Sequence, residues 1–164
     1  MGITVSSQLE RLARFIPGVA GYQDREKARA TDKELRMRLV QELRRLVHVL
    51  DEHKGRLAEA RDFSALPRLD RLAGRLERLG RTVEFASRGY TGLFDLHRVD
   101  AAVLDQLYAF DLGLFEALSV VRARAEAVRA ADAAELVGAV LHMGEALDDF
   151  EELWDQRQRV VDAG

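Results

Sequence analysis

Apolar residues recur along most of the chain at intervals of three and four, the period of an amphipathic helix rather than the alternation of a strand. The series Leu35, Leu39, Leu43, Leu46, Leu50 and Leu57 predicts a helix from about Asp24 to Arg61. Extending its register inward brings Asp32 and Arg36 onto one end of the seam and His53 near the other. A second series, Leu69, Leu72, Leu76, Leu79 and Val83, predicts a shorter helix from Pro67 to about Ser87. Leu104, Leu107, Leu114, Leu118 and Val121 predict a third over roughly Ala101 to Arg129, with the single polar residue Asp111 in its apolar face. The last and most regular series runs through Leu136, Val140, Met143, Leu147, Phe150, Trp154 and Val161, interrupted by Arg157. A short leading helix is expected from the capping box Ser7-Gln8-Leu9-Glu10 to Pro17-Gly18.

Breaks between these series carry their own chemistry. Phe63 to Pro67 interrupts the pattern because the residue before proline avoids helical dihedrals. Asp100 is expected to cap the third helix, and Asp132, with Glu135 three residues on, the fourth. Gly89 to Asp95, with two glycines and two aromatics, reads as an anchored loop. Gly74 and Gly80 weaken the second helix by about 1 kcal/mol each relative to alanine, a cost that close helix approach would offset. The fold expected is all-α: an antiparallel four-helix bundle with coiled-coil-like seams and a short extra N-terminal helix, in one domain over residues 1–164. Because the second helix is the short member, part of an apolar stripe is left uncovered, and a homo-oligomer is expected.

Composition narrows the chemistry. The chain has no cysteine, which excludes disulfides, thiolate metal sites and cysteine nucleophiles. No run of about 18 apolar residues is present, so no membrane span is expected and a cytoplasmic location follows as the default. Arginine far outnumbers lysine and asparagine is absent, a bias that suits a thermophile. The formal charge of −3 hides an asymmetry. Residues 1–88 carry 19 Lys and Arg against 13 Asp and Glu, whereas residues 89–164 carry 6 against 15. Helices of opposite sign are therefore expected to face one another.

Motifs for catalysis are sparse. No nucleophile elbow, Walker loop or dinucleotide fingerprint occurs, and no Glu-x-x-His pair of the di-iron kind. His142, Glu145, Asp149 and Glu152 lie on one face of the last helix and read as a solvated acidic stripe. Glu145-x-x-Asp148 and Glu152-x-x-Asp155 are similar to half of the magnesium site of all-helical nucleoside triphosphate pyrophosphohydrolases. The Glu-Glu-x-x-Glu block of the preceding helix is missing, so a metal-dependent hydrolase using Glu145, Asp148, Glu152 and Asp155 is the enzymatic alternative. Arg68, Arg71, Arg75 and Arg78 form a guanidinium stripe suited to phosphates. No aromatics interleave with it, and pairing with the acidic half is preferred to nucleic-acid binding. His53 is expected in the core with a satisfied ring nitrogen. Asp111 needs a cation or donors on its buried face, and Arg36 is the partner expected from the seam.

Ile16-Pro17-Gly18-Val19-Ala20-Gly21-Tyr22, followed by Arg25, Glu26, Arg29, Asp32, Leu35 and Arg36, resembles the start of an uncharacterised family of small all-helical prokaryotic proteins. Gly89-Tyr90-Thr91-Gly92-Leu93-Phe94-Asp95 and Leu104 to Asp111 agree with the same family. No activity attaches to it. The resemblance implies that these segments form one region containing Tyr22, Arg25, Asp32, Arg36, Tyr90, Phe94, Asp95 and Asp111, a polar core or a partner-docking surface. The function expected is a non-enzymatic interaction or scaffold protein with no catalytic residue and no cofactor. It would dock a protein partner through a helix face or the Gly89 to Asp95 loop.

Overall fold

A computed structural model of the chain describes residues 5–19, 25–86 and 101–163. Five helices make up the described residues, and no strand occurs among them. They are α1 (Val5–Leu12), α2 (Arg25–Glu59), α3 (Leu66–Phe85), α4 (Ala101–Ala130) and α5 (Leu136–Ala163). At 1.5 Å per residue, the 35 residues of α2 span about 52 Å and the 20 of α3 about 30 Å. The difference leaves the first turns of α2 running past the end of α3.

Helix ends follow local sequence. α2 ends at Glu59 and is followed by Arg61, whose φ of 58° lies in the left-handed region. There Asp62 N donates to Leu57 O (2.9 Å) and Arg61 N to Ala58 O (3.0 Å), closing a Schellman-type cap without glycine. Asp62 Oδ1 then accepts from Ser64 N and Ser64 Oγ, which holds its carboxyl below the usual carboxylate range. Asp132 takes the role foreseen for it: Oδ1 accepts from Ala134 N and Glu135 N, both at 2.9 Å, just before α5. α1 departs from expectation, because it starts at Val5 and Ser7 lies inside its first turn rather than at the cap. After Leu12 it tightens into turns that end at Gly18, whose φ is +82°. Asp100 and the Gly89 to Asp95 segment lie outside the described residues.

The predicted seams are the core. Leu35, Leu39, Leu43, Leu46 and Leu50 of α2 are buried, as are all five apolar positions of the α3 series and all seven of α5. α2 packs along α3 and α4 along α5, while α1 and α2 rest on α4 and α3 touches α5 over a shorter stretch. Directions follow from side-chain pairs. Lys54 meets Asp70 (2.7 Å) and Arg44 meets Glu84 (3.0 Å), so α2 and α3 run antiparallel. Arg36 near the start of α2 reaches the end of α3, and Arg157 near the end of α5 joins Asp32 of α2 to Asp111 of α4. One end of the molecule therefore gathers the starts of α2 and α4 with the ends of α3 and α5. α4 and α5 are antiparallel, whereas α2 with α4, and α3 with α5, run parallel.

The glycines of α3 do not serve close helix approach. A Cβ added at Gly80 would meet nothing within 4 Å, and one at Gly74 would meet only Arg78 Nη1 of its own helix, at 3.5 Å. Small residues matter more on the partner helices. A Cβ on Gly144 of α5 would lie 3.9 Å from Leu72 of α3, and one on Gly113 of α4 3.8 Å from Leu153 of α5.

Candidate functional site

The most concentrated polar chemistry inside the protein is a chain of four buried charges. Asp32 and Arg36 lie on α2 one turn apart, so both point along the seam, and Arg36 Nε donates to Asp32 Oδ2 at 2.8 Å. The other oxygen of Asp32, Oδ1, accepts from Arg157 Nη2 of α5 at 2.8 Å. Arg157 Nε in turn donates to Asp111 Oδ1 of α4 at 2.6 Å. Asp111 and Arg157 are fully buried, and Asp32 and Arg36 are 3% and 5% exposed. Two carboxylates and two guanidiniums alternate, which leaves the layer formally neutral. That neutrality is the condition for burying ions, since desolvation costs several kcal/mol per charge.

The layer also secures helix ends. Arg36 Nη1 donates to Glu84 O (3.0 Å) and Val83 O (3.4 Å), carbonyls of the last turn of α3 that have no acceptor role left within the helix. A cation at a helix C-terminus meets the negative end of its dipole. Arg157 sits 5.7 Å from the Trp154 ring centroid, one turn back on α5, in cation–π range. Arg157 Nη1 also donates to Gln158 Oε1 at 3.4 Å. All four long helices are thus joined at one level.

Three residues of the expected polar set, Asp32, Arg36 and Asp111, are here together. The partner expected for Asp111 is corrected: its guanidinium is Arg157, not Arg36, because Arg36 turns towards the α3 carbonyls. Sequence reasoning passed over Arg157 as a break in the α5 series. Its signal was available, since a cation at a seam position of α5 matches the lone acid at a seam position of α4. Arg25 is the first residue of α2, and its side chain, like Tyr22, Tyr90, Phe94 and Asp95, lies outside the described residues.

Other candidate positions are dispersed. Glu145, Asp148, Glu152 and Asp155 run along the exposed side of α5. Asp148 is engaged by Arg75 of α3, which also meets Glu151 at 2.9 Å, and Glu152 Oε1 accepts from Gln156. These two acids raise the Arg75 guanidinium above its ordinary value despite its partial burial. No group of three or more His, Asp or Glu side chains positioned to hold a metal ion occurs among the described residues. Of the arginine stripe, only Arg75 pairs with the acidic half; Arg68, Arg71 and Arg78 are exposed and make no ion pair among the described residues. His53 is buried as expected, but neither ring nitrogen has a hydrogen-bond partner. Burial, then the charge of Arg56, lowers its pKa below the ordinary 6.5.

α3 and α5 leave an open furrow between them. Arg68, Arg71 and Leu72 line one side and Val140, Leu141 and Glu145 the other, around a volume of about 390 Å³. Leu141 is 59% exposed and Val137, one turn earlier, 38%. No helix among the described residues is long and apolar enough to cross a membrane. No family model, curated protein or solved structure matches the chain.

Proposed function

We propose that the chain is a non-enzymatic interaction or scaffold protein of the cytoplasm, a single four-helix bundle with a short leading helix, that self-associates and docks a protein partner. The observation that carries this reading is the α3/α5 furrow, an open cleft beside which Leu141 and Val137 stand exposed. Its charges suit a second copy of the same chain. Arg68 and Arg71 flank one side and Glu145 the other, so a two-fold rotation can lay the arginines of one copy over the acid of its partner. Such an interface buries apolar side chains at its centre and leaves ion pairs at its rim, the usual anatomy of a specific contact. The buried Asp/Arg layer supports the same reading. It spends the strongest polar groups on fixing helix register, and a rigid platform is what a docking surface requires.

The test is the mass of the native protein by light scattering, with Val137→Glu and Leu141→Glu combined as the variant. A dimer or larger species that becomes monomeric in the double variant, with Tm unchanged, is expected. A strictly monomeric wild type would refute self-association. Four carboxylates along α5 motivate the enzymatic alternative, for which magnesium would have to raise Tm and support pyrophosphate release from a nucleotide.

A further inference from the structure

A second groove, separate from the buried layer and from the α3/α5 furrow, opens where α1 meets α2 and α4. Arg14, from the turns after α1, Arg38 of α2 and Arg122 of α4 all line it. Each is exposed, and none has a side-chain hydrogen bond or ion pair among the described residues. Glu42, the acid that lines the groove, is already committed to Arg45 (2.5 Å), and Glu116, next to Phe115 in sequence, to Arg11. Three like charges converging on one opening repel each other in the absence of an anion.

The floor of the groove is of the opposite character. Phe15 and Phe115 stack with centroids 5.3 Å apart and planes 19° from parallel, and Leu46 and Leu118 extend the apolar surface. Phe115, Leu46 and Leu118 are buried, and Phe15 is partly open to the groove. The volume, about 270 Å³, lies just under the roughly 300–1,000 Å³ typical of small-molecule sites. Guanidinium forks match phosphate oxygens in geometry as well as charge, and an aromatic floor accepts a planar ring. From this pairing we infer that the groove binds a small organic phosphate carrying an aromatic ring, with the phosphate among Arg14, Arg38 and Arg122 and the ring against Phe15. Because the three arginines come from three separate elements, the bound anion ties α1 to α2 through α4.

Calorimetric titration of the full chain with phenyl phosphate, inorganic phosphate and phenol tests the inference. Phenyl phosphate should bind saturably at one site per chain and roughly tenfold or more tighter than inorganic phosphate, with phenol weakest. Arg38→Ala and Arg122→Ala should each weaken phenyl phosphate by roughly tenfold, the loss of one charge-assisted contact, while Tm in the absence of ligand stays unchanged. Arg124→Ala, an exposed arginine of α4 outside the groove, should leave affinity as it is. Glu42→Gln removes the acid that lines the groove and should tighten binding. The inference is overturned if phenyl phosphate shows no saturable binding. It is equally overturned if inorganic phosphate binds as well, or if Arg124→Ala weakens binding as much as Arg38→Ala, since either result would mean general surface charge.

Discussion

The two ends of the helical assembly solve the same problem by different means. At the end where α2 and α4 begin, four buried charges cross from helix to helix, each with a partner of opposite sign. At the end where α2 and α4 finish, the chain is held by local backbone devices: the cap at Arg61, the turn at Asp62 and the Asp132 cap of α5. The buried polar group towards this second end, His53, has no partner at all. Long-range ion pairs specify which helix lies beside which and at what height, because only one register brings all four groups together. Local caps specify where each helix stops and say nothing about its neighbours. The first end therefore sets the assembly, and the second is the place where stability depends on conditions.

The largest effect is expected at the charged end, and it is directional. Arg157 serves two carboxylates, so Arg157→Met withdraws a buried guanidinium from Asp111 and from Asp32 at once. A loss of about 3–5 kcal/mol in urea unfolding is expected. Asp111→Leu leaves Arg157 still paired with Asp32 and should cost less. The double variant should lose less than the sum of the singles by at least about 1 kcal/mol, the coupling of a direct contact. Additive losses would mean that the layer is not a connected unit.

How much of this was legible in the sequence follows the same division. The α2 seam, the inward placement of Asp32, Arg36 and His53, and the isolation of Asp111 in α4 all come from helical periodicity, which is a local property. The partner of Asp111 lies 46 residues away, and choosing between Arg36 and Arg157 needs the rotation of three helices about their axes. No periodicity contains that. Gly80 failed for a related reason: glycine on a buried face suggests close approach, but whether a neighbour approaches is set by the whole assembly. Ser7 shows the limit of a short motif, since the capping-box pattern fits but the chain turns helical two residues sooner.

The condition-dependent end makes the next prediction. Burial, reinforced by Arg56, disfavours the imidazolium of His53 in the folded protein, whereas in the unfolded chain the ring takes up a proton near pH 6.5. The folded state thus binds fewer protons in this window. The stability linked to His53 is present above about pH 6.5 and is lost as pH falls through the lowered folded value. His53→Leu should remove this acid sensitivity and, by deleting a buried group without a hydrogen bond, stabilise by about 1–2 kcal/mol at pH 7. Parallel stability profiles for wild type and variant between pH 7 and pH 5 would show that His53 is not the sensor. Asp132→Ala, at the same end, should cost about 1 kcal/mol, because it removes the side-chain oxygen that accepts from the backbone N–H groups of Ala134 and Glu135.

The smallest effect tests whether the two ends are independent. Gly80 lies on α3 one turn before the carbonyls that accept from Arg36, in a shallow depression beside Val47 and His48 of α2. A methyl there meets no atom within 4 Å, and the backbone is already helical, so Gly80→Ala relieves the entropic cost of glycine without displacing a neighbour. A gain of about 0.5–1 kcal/mol follows, read as a higher urea midpoint with an unchanged slope. The gain should be the same at pH 5 and pH 7, and it should add to that of His53→Leu, whose position on the facing helix is about one and a half turns beyond His48 and shares no partner with Gly80. If the gain instead disappears in the Arg157→Met background, the end of α3 depends on the charged layer for its helical state, and that layer reaches further along the molecule than its own hydrogen bonds.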